Sequence, residues 1–259
     1  MEKFVYKKAA GITALSASIH DFSYKKHAHE EYAVGVTMRG IQRFHLDGSL
    51  QKSRPDGVML FNPEQAHDGS AQDENGLDYI MLYIKPELLL EAIGKKDIVH
   101  FPEPVVYNNE LKQSILHLGH AILTEKEDAL SSELFLSLAD KLMTAEDLFT
   151  ETKQDTKRIQ KAKALLHADL ENGYHLDDIS KELGLSKYQF IRLFKTNTGI
   201  SPYQYYLNSK IELAKQIIEH QGDIYSAVAE GGFVDLPHLN RHFKSVYGIT
   251  AYEYKSHLY

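Results

Sequence analysis

The sequence predicts a two-domain α+β protein: an N-terminal β-barrel with two helices, followed by an all-α C-terminal unit. Three observations support this prediction. Short apolar stretches separated by turns occupy the first part of the chain, apolar residues then recur at helical spacing, and a helical unit is duplicated near the C-terminus. The 259 residues exceed one ordinary domain of about 150, which favours two domains.

The composition excludes several classes of protein. Hydrophobic residues make up 43% and charged residues 25% of the chain, as in globular proteins and unlike disordered or collagen-like ones. No apolar run approaches the roughly 20 residues that cross a bilayer, and the N-terminus lacks a secretory signal. The absence of cysteine excludes disulfides and thiolate chemistry. We therefore expect a cytoplasmic protein with no membrane partner.

Charge is distributed unevenly along the chain, whose net charge is −7. Residues 1–153 contain 16 basic and 24 acidic side chains, a net −8, whereas residues 154–259 contain 13 and 12, a net +1. This difference indicates that the two parts have different roles.

The first part reads as short strands separated by tight turns, which predicts a β-sandwich or barrel. Asp47-Gly48 supplies the positive φ that a hairpin requires. The segment Met1–Ile19 is interpreted as an arm over the pocket of this domain. The predicted strands are Glu31–Met38, Gln42–Leu46, Val58–Phe61 and Tyr79–Ile84.

Two amphipathic helices are predicted within residues 109–149. They either cover the open face of the barrel or use the second apolar stripe as a dimer seam. A polar stretch, residues 151–156, is the predicted linker between a first domain of residues 1–150 and a second of residues 157–259. The two stripes are Leu111, Ile115, Leu118 and Ile122, then Leu130, Leu134, Leu138 and Leu142.

A repeat at an offset of 49 residues is the most informative pattern in the chain. Six of the twelve residues at 192–203 are identical to their counterparts, where chance gives about one. One unit has therefore been used twice. The identical residues are Arg192, Phe194, Lys195, Gly199, Ile200 and Tyr203, matched by Arg241, Phe243, Lys244, Gly248, Ile249 and Tyr252.

Each copy reads as two helices joined by a tight turn. Ser186 and Gln189 form a capping box that starts the second helix of the first copy, and Asp235 starts its counterpart. Between the copies, Ser201-Pro202 starts a helix of roughly 17 residues, about 25 Å long. The second helices of the two copies then come within reach of the ~34 Å repeat of the DNA major groove.

These residues resemble the paired helix-turn-helix domain of AraC/XylS-type transcription regulators, over residues 159–259. Three positions differ from the family pattern: Ala251 replaces its usual proline, Lys255 a common arginine, and Lys210 a frequent arginine. The matching motifs are Phe194-Lys195, Gly199-Ile200-Ser201-Pro202-Tyr203, Gly232-Phe233-Val234-Asp235, Arg241, Phe243-Lys244 and Gly248-Ile249-Thr250.

The resemblance implies that double-stranded DNA is a partner and that the second helix of each copy is the recognition helix. Arginine can bind guanine, and asparagine adenine, through two hydrogen bonds, which makes Arg192, Arg241 and Asn240 the base-reading candidates. The lysines are expected to contact DNA phosphates, and such contacts orient the protein without specifying the base sequence. The other DNA-facing candidates are Lys187, Lys195 and Lys244, with Tyr188, Gln189 and His238.

A histidine cluster marks the first domain. His27-Ala28-His29 before a strand, followed later by His67, resembles the two motifs of a cupin barrel. Alternate strand residues share a face, so both imidazoles of the pair point inward. With His67 they make a set suited to zinc, nickel or iron. The usual cupin glutamate is missing, and Glu31 is a weak substitute.

Three roles for the histidines stay open: lining of a pocket for an organic effector, ligands of a divalent metal, or structural residues. The candidate pocket residues are His27, His29, Tyr32, His45 and His67.

AraC-type regulators commonly place a cupin-like effector domain before the DNA-reading domain, and this chain follows that order. The resemblance implies a ligand-responsive transcription regulator, activator or repressor, that forms a homodimer and contacts RNA polymerase, rather than an enzyme. The alternative is a metal-dependent cupin enzyme that carries a DNA-binding module. A third class, an architectural DNA protein, would bind every sequence equally.

Overall fold

The computed structural model describes residues 2–95, 99–125, 128–144, 150–151, 157–168, 170 and 175–259. An antiparallel β domain with helices on one face precedes an all-helical region, which confirms the predicted fold class.

Two larger antiparallel sheets and a two-stranded sheet, β10-β12, contain the described strands of the N-terminal domain. A six-stranded sheet has the order β1-β2-β9-β4-β7-β11, and a four-stranded sheet has the order β3-β8-β5-β6. The strands are β1 (Lys3–Ala9), β2 (Ile12–Ile19), β3 (Ser23–His27), β4 (Tyr32–Arg39), β5 (Gln42–Leu46), β6 (Ser49–Ser53), β7 (Val58–Phe61), β8 (His67–Ala71), β9 (Leu77–Ile84), β10 (Val99–His100), β11 (Val105–Val106) and β12 (Thr150–Glu151).

The two sheets enclose a common core of aromatic and aliphatic side chains. Phe44 of the small sheet lies 5.0 Å, ring to ring, from Phe61 of the large one. Tyr24 and Tyr79 face each other across the same interior, with their hydroxyls 2.7 Å apart. The sheets therefore pack as a cupin-like sandwich.

The N-terminal segment is not an arm, so that interpretation was wrong. β1 and β2 form a hairpin in the six-stranded sheet, with Lys3 opposite Ser18 and Ala9 opposite Ile12. The turn uses Ala10 and Gly11, both with positive φ, as a two-residue hairpin turn requires.

Three helices cover the outer face of the large sheet: α1 (Pro86–Ile93), α2 (Asn109–His120) and α3 (Asp128–Thr144). All four apolar residues of the first predicted stripe are buried in one core with side chains of the large sheet, which α2 contacts at β4 and β9. In the second stripe, Leu138 and Leu142 are buried in the same core, whereas Leu130 and Leu134 are half-buried. Much of the second stripe therefore packs within the chain.

The predicted linker lies mostly outside the described residues, at 152–156. Its first residue, Glu151, belongs to β12, which pairs with β10.

Seven helices follow within the described residues 157–168 and 175–259. The first helix-turn-helix unit is α5–α6, the second is α8–α9, and α7 joins them. α7 contains 20 residues, which corresponds to about 30 Å and exceeds the predicted length. The helices are α4 (Lys157–Ala168), α5 (Leu176–Glu182), α6 (Lys187–Thr198), α7 (Pro202–Gln221), α8 (Ile224–Glu230), α9 (Leu236–Tyr247) and α10 (Ala251–Leu258).

Candidate functional site

The first helix-turn-helix unit presents one face of α6 to solvent. The predicted capping box is confirmed: Ser186 Oγ accepts from the Gln189 N–H while the Gln189 side chain accepts from the Ser186 N–H. Phe190 and Phe194 are fully buried and fix the helix against its neighbours. This packing leaves the opposite face exposed, with Tyr188 at 79% exposure.

The second unit repeats this arrangement on α9. Asp235 caps the helix by accepting from the His238 N–H, as predicted, and Leu239 and Phe243 are buried. Arg241 stands at the position that Arg192 occupies in α6, and both arginines are exposed. Among the described residues, no hydrogen bond or ion pair engages either guanidinium group.

Two lysines occupy equivalent exposed positions one turn further along these helices. Lys195 and Lys244 are exposed on the faces that carry Arg192 and Arg241. Lys187, at the start of α6, instead forms an ion pair of 2.8 Å with Asp177. Such an exposed pair contributes little and can exchange for a phosphate.

Three predicted DNA-facing side chains already have partners within the protein. Gln189 belongs to the capping box. His238 accepts the Val234 N–H through Nδ1 at 3.3 Å. Asn240 accepts the Ala251 N–H through Oδ1 at 3.0 Å.

The Asn240 contact has a direct origin in the sequence. Position 251 carries alanine where the family usually has proline, so this helix start has an N–H that proline would lack. Asn240 Oδ1 satisfies that donor at the first turn of α10. Pairing both edges of the Asn240 amide with adenine would require this oxygen as well.

Three histidines meet where β3 and β8 pair. His27 ends β3 opposite His67, which begins β8, and His29 follows in the next loop. Their ring centroids lie 4.6 to 6.0 Å apart, and one ring nitrogen of each lies within 4.8 Å of the others. All three side chains are buried. The predicted set is therefore brought together.

Each of these rings is oriented by a backbone carbonyl two residues away. Nδ1 of His27 lies 2.7 Å from the Lys25 carbonyl oxygen, and Nδ1 of His67 lies 2.8 Å from that of Gln65. Nδ1 of His29 lies 2.9 Å from the Glu31 carbonyl oxygen. A carbonyl accepts only, so Nδ1 carries the hydrogen and Nε2 carries the lone pair.

Burial keeps these imidazoles neutral. It lowers the pKa of His27 to about 4, with a further contribution from His29. Burial likewise lowers the pKa of His29, and burial together with the other two rings holds the pKa of His67 well below its usual value. Neutral imidazole is the form that binds metal ions.

Two predicted pocket residues lie elsewhere. Tyr32 faces the helix side of the large sheet, where its hydroxyl donates to the Val99 carbonyl at 2.6 Å. His45 points to solvent from β5 and lies 3.0 Å from Asp68. Side chains alternate along a strand, so Ala33 and Phe44, rather than Tyr32 and His45, face the interior.

Glu31, the weak substitute ligand, is not part of the group of ring nitrogens that cluster within 4.8 Å of one another. Its carboxylate forms a buried ion pair with Lys215 of α7. Burial alone would raise the pKa of Glu31, but the charge of Lys215 and its hydrogen bond to the carboxylate outweigh it and lower the pKa to about 2. This pair connects the two domains.

A second interdomain contact centres on Glu64. Its carboxylate accepts from Lys163 of α4 at 2.6 Å and from the Tyr205 hydroxyl of α7 at 2.9 Å. Its own N–H donates to the His29 carbonyl at 2.7 Å. Sequence reasoning missed Glu64 and Lys215, because no local pattern marks a pair of residues so far apart in the chain.

A small, partly open pocket of about 20 Å³ lies between the domains beside these contacts. Carboxylates and other polar groups from both domains border it. The lining residues are Ala28, His29, Glu30, Glu64, His167, Tyr205, Asn208, Ser209 and Glu212.

Comparison with known families decides the classification. Residues 9–139, just over half of the chain, match the AraC-like ligand binding domain, and residues 179–257 match a helix-turn-helix domain. The chain belongs to the AraC family of transcription regulators. None of the described helices is long and apolar enough to span a bilayer.

Two relatives described as uncharacterized HTH-type transcriptional regulators match most of the chain. The uncharacterized HTH-type transcriptional regulator YbfI of Bacillus subtilis is 26% identical over 224 residues, which cover 83% of this chain and 81% of YbfI. YidL of Escherichia coli is 24% identical over 218 residues, which cover 82% of this chain and 71% of YidL.

Solved structures share the AraC-type fold. An apo form of a ToxT variant from Vibrio cholerae aligns with a TM-score of 0.64 at 14% identity, over 98% of this chain and all of ToxT. Wild-type ToxT with a bound unsaturated fatty acid aligns with a TM-score of 0.58 at 14% identity, over all of this chain and 95% of ToxT. At this identity, the likeness concerns the fold.

Proposed function

We propose that this AraC-family regulator reads one bipartite DNA site with both helix-turn-helix units, under control of an effector held by the N-terminal domain. The observation that carries the proposal is the equivalent placement of Arg192 and Arg241. Each is exposed on its recognition helix and engaged by no described residue, so both are available to base edges.

The other candidate residues of the recognition helices fall into two groups: those that contact DNA and those that form hydrogen bonds within the protein. Lys195 and Lys244 bind phosphates, and Lys187 joins them after releasing Asp177. Tyr188 packs on the DNA backbone beside Arg192. Three side chains instead form hydrogen bonds within the protein and position the recognition helices and the start of α10: Gln189, His238 and Asn240.

The length of α7 supports a two-groove site. Its roughly 30 Å separates the units by a distance comparable to the ~34 Å repeat of the major groove. We expect two short conserved elements in the bound DNA, about one helical turn apart. A mutation in one helix-turn-helix unit would then reduce sequence preference at one DNA element and leave the preference at the other unchanged.

Control by the effector follows from the interdomain contacts. Glu31 and Glu64 hold α7 and α4, so a ligand that changes either loop changes the placement of the DNA-binding domain. The ligand's different affinities for the two arrangements supply the coupling. The acidic lining of the interdomain pocket does not favour a carboxylate ligand such as a fatty acid.

The partners beyond DNA and effector are also proposals. We propose a homodimer through α3, where Leu136 and Met143 are exposed on the side away from the buried stripe. The chain acts on chromosomal DNA in the cytoplasm and contacts RNA polymerase there. No catalytic activity is assigned, since the relatives are transcription regulators.

Selection of bound sequences from random DNA, using the full chain, tests the proposal. We expect a two-element site, one element of which loses its preferred bases in Arg192→Ala and the other in Arg241→Ala. Arg54→Ala, an exposed arginine of the N-terminal domain, is the matched control and should select the wild-type site. Equal binding to all sequences would instead support an architectural role and contradict the proposal.

A further inference from the structure

We infer that His27, His29 and His67 bind a divalent transition metal ion and that this ion is the effector. The inference rests on the proposed function, which leaves the effector unnamed. It selects one of the three roles that the sequence left open for these histidines.

The donor atoms favour a cation over the other two roles. With Nδ1 bonded to carbonyls, the three rings present Nε2 lone pairs at the site. No described residue donates a hydrogen bond to any of these Nε2 atoms. A buried histidine with a structural role typically forms hydrogen bonds through both ring nitrogens, whereas among the described residues these three form them only through Nδ1. Three converging lone pairs without a donor are instead what a metal ion requires.

The surrounding contacts are also those of a metal site. Metal-binding histidines typically donate their second ring N–H to a carbonyl or carboxylate, which fixes the ring and the tautomer. Here, all three do so. Neutral imidazoles suit zinc, nickel, cobalt and ferrous ions. The three histidines offer three protein ligands, which leaves a position for water or a second ligand.

The histidines lie in or next to two loops that contact the DNA-binding domain through Glu31 and Glu64. His29 shares its loop with Glu31, and His67 closes the loop that contains Glu64. The backbone of His29 also accepts the Glu64 N–H. An ion bound by both loops fixes their separation, and with it the carboxylates that contact Lys215, Lys163 and Tyr205. Metal occupancy therefore acts on the placement of α4 and α7.

Metal binding is tested directly on the untagged full chain. Elemental mass spectrometry should find one ion per chain, and titration with Co²⁺ should produce visible absorption bands of a nitrogen-liganded ion. His27→Ala, His29→Ala and His67→Ala should each weaken Zn²⁺ binding by about 100-fold or more. His45→Ala, an exposed histidine, is the control and should bind as wild type. Absence of binding, or binding that survives in the three variants, would overturn the inference.

The effector role needs a second measurement. Zn²⁺ should change the affinity of the wild-type chain for its selected DNA site by about 5- to 150-fold, the usual range of allosteric coupling. Glu64→Gln should bind the same number of Zn²⁺ ions per chain, but Zn²⁺ should change its DNA affinity less than it changes that of wild type. Glu91→Gln on α1 is the control and should match wild type in Zn²⁺ stoichiometry and in the effect of Zn²⁺ on DNA affinity. An ion that binds without altering DNA affinity overturns the effector role.

The two sets of results separate this inference from the proposed function. A chain that selects a DNA sequence but binds no Zn²⁺ overturns the metal site and leaves the DNA-reading function intact. A chain that binds Zn²⁺ but selects no sequence overturns the proposed function.

Discussion

The ammonium group of Lys215 contacts the carboxylate of Glu31 and thereby joins the helix between the two helix-turn-helix units to the N-terminal domain. The side chains are 5% and 8% exposed, so solvent screens the pair little. Glu212 lies 3.3 Å from the same ammonium and accepts from the Tyr247 hydroxyl at 2.9 Å. One cation thus serves two buried carboxylates, one from each domain.

Lys215→Met is expected to destabilise the chain by about 3–5 kcal/mol, because removing one partner of a buried pair leaves an uncompensated charge. Adding Glu31→Gln and Glu212→Gln removes the orphaned charges and should recover most of that loss. Denaturant unfolding of the single and triple variants measures both effects. Lys161→Met is the control, since its pair with Glu182 is half exposed and contributes little. Equal losses at both lysines would contradict the prediction.

Asn240→Ala should weaken the folded state by about 1 kcal/mol, as loss of a helix cap does, because the Ala251 N–H loses its acceptor. DNA affinity should then fall similarly for all sequences. Combining Asn240→Ala with Ala251→Pro removes the unsatisfied donor and should restore stability. Thermal unfolding and sequence selection provide the two readouts. Loss of preference for adenine at one position, with stability unchanged, would show that Asn240 reads a base.

The local features of the fold could be predicted from the sequence because they depend on neighbouring residues. The Asp47-Gly48 hairpin depends on positive φ values at two adjacent residues. The helix caps at Ser186 and Asp235 each join a side chain to a backbone N–H three residues away. The β1–β2 hairpin was missed although its signal was present: Phe4 and Tyr6 alternate with exposed or half-buried residues.

The candidate site could be predicted only in part. His27, His29 and His67 share a recognisable motif, and the structure brings them together. Tyr32 was assigned to the wrong face, since a shift of one residue in a strand reverses the side. The Glu31–Lys215 pair spans 184 residues, and no pattern within either segment indicates the other.

Lys195→Ala and Lys244→Ala should each weaken DNA binding by a similar factor on cognate and random sequences. Each lysine is expected to neutralise one phosphate, so the slope of log affinity against log salt should decrease in magnitude by about 1 per variant. Fluorescence anisotropy at several salt concentrations measures this slope. Lys52→Ala, an exposed lysine of β6, should leave it unchanged. A variant that altered base preference instead would place that lysine on a base edge.

Glu212 should make the stability of the chain depend on pH. Burial raises the pKa of Glu212 from 4.5 to about 7, although the charge of Lys215 acts in the opposite direction. Among the other groups that face it, Glu31 and Glu30 raise its pKa and the hydrogen bond from the Tyr247 hydroxyl lowers it. A raised pKa means that the folded state binds the proton more tightly than the unfolded state. The stabilisation from this group is therefore complete below pH 4.5 and is lost as the pH rises through about 7.

Glu212→Gln stays neutral, so wild type should lose stability relative to this variant as the pH rises over that range. Denaturant unfolding at several pH values measures the difference, with the exposed Glu230→Gln as control. If wild type instead gained stability relative to Glu212→Gln over the same range, the Lys215 charge would outweigh burial, and Glu212 would be ionised in the folded chain.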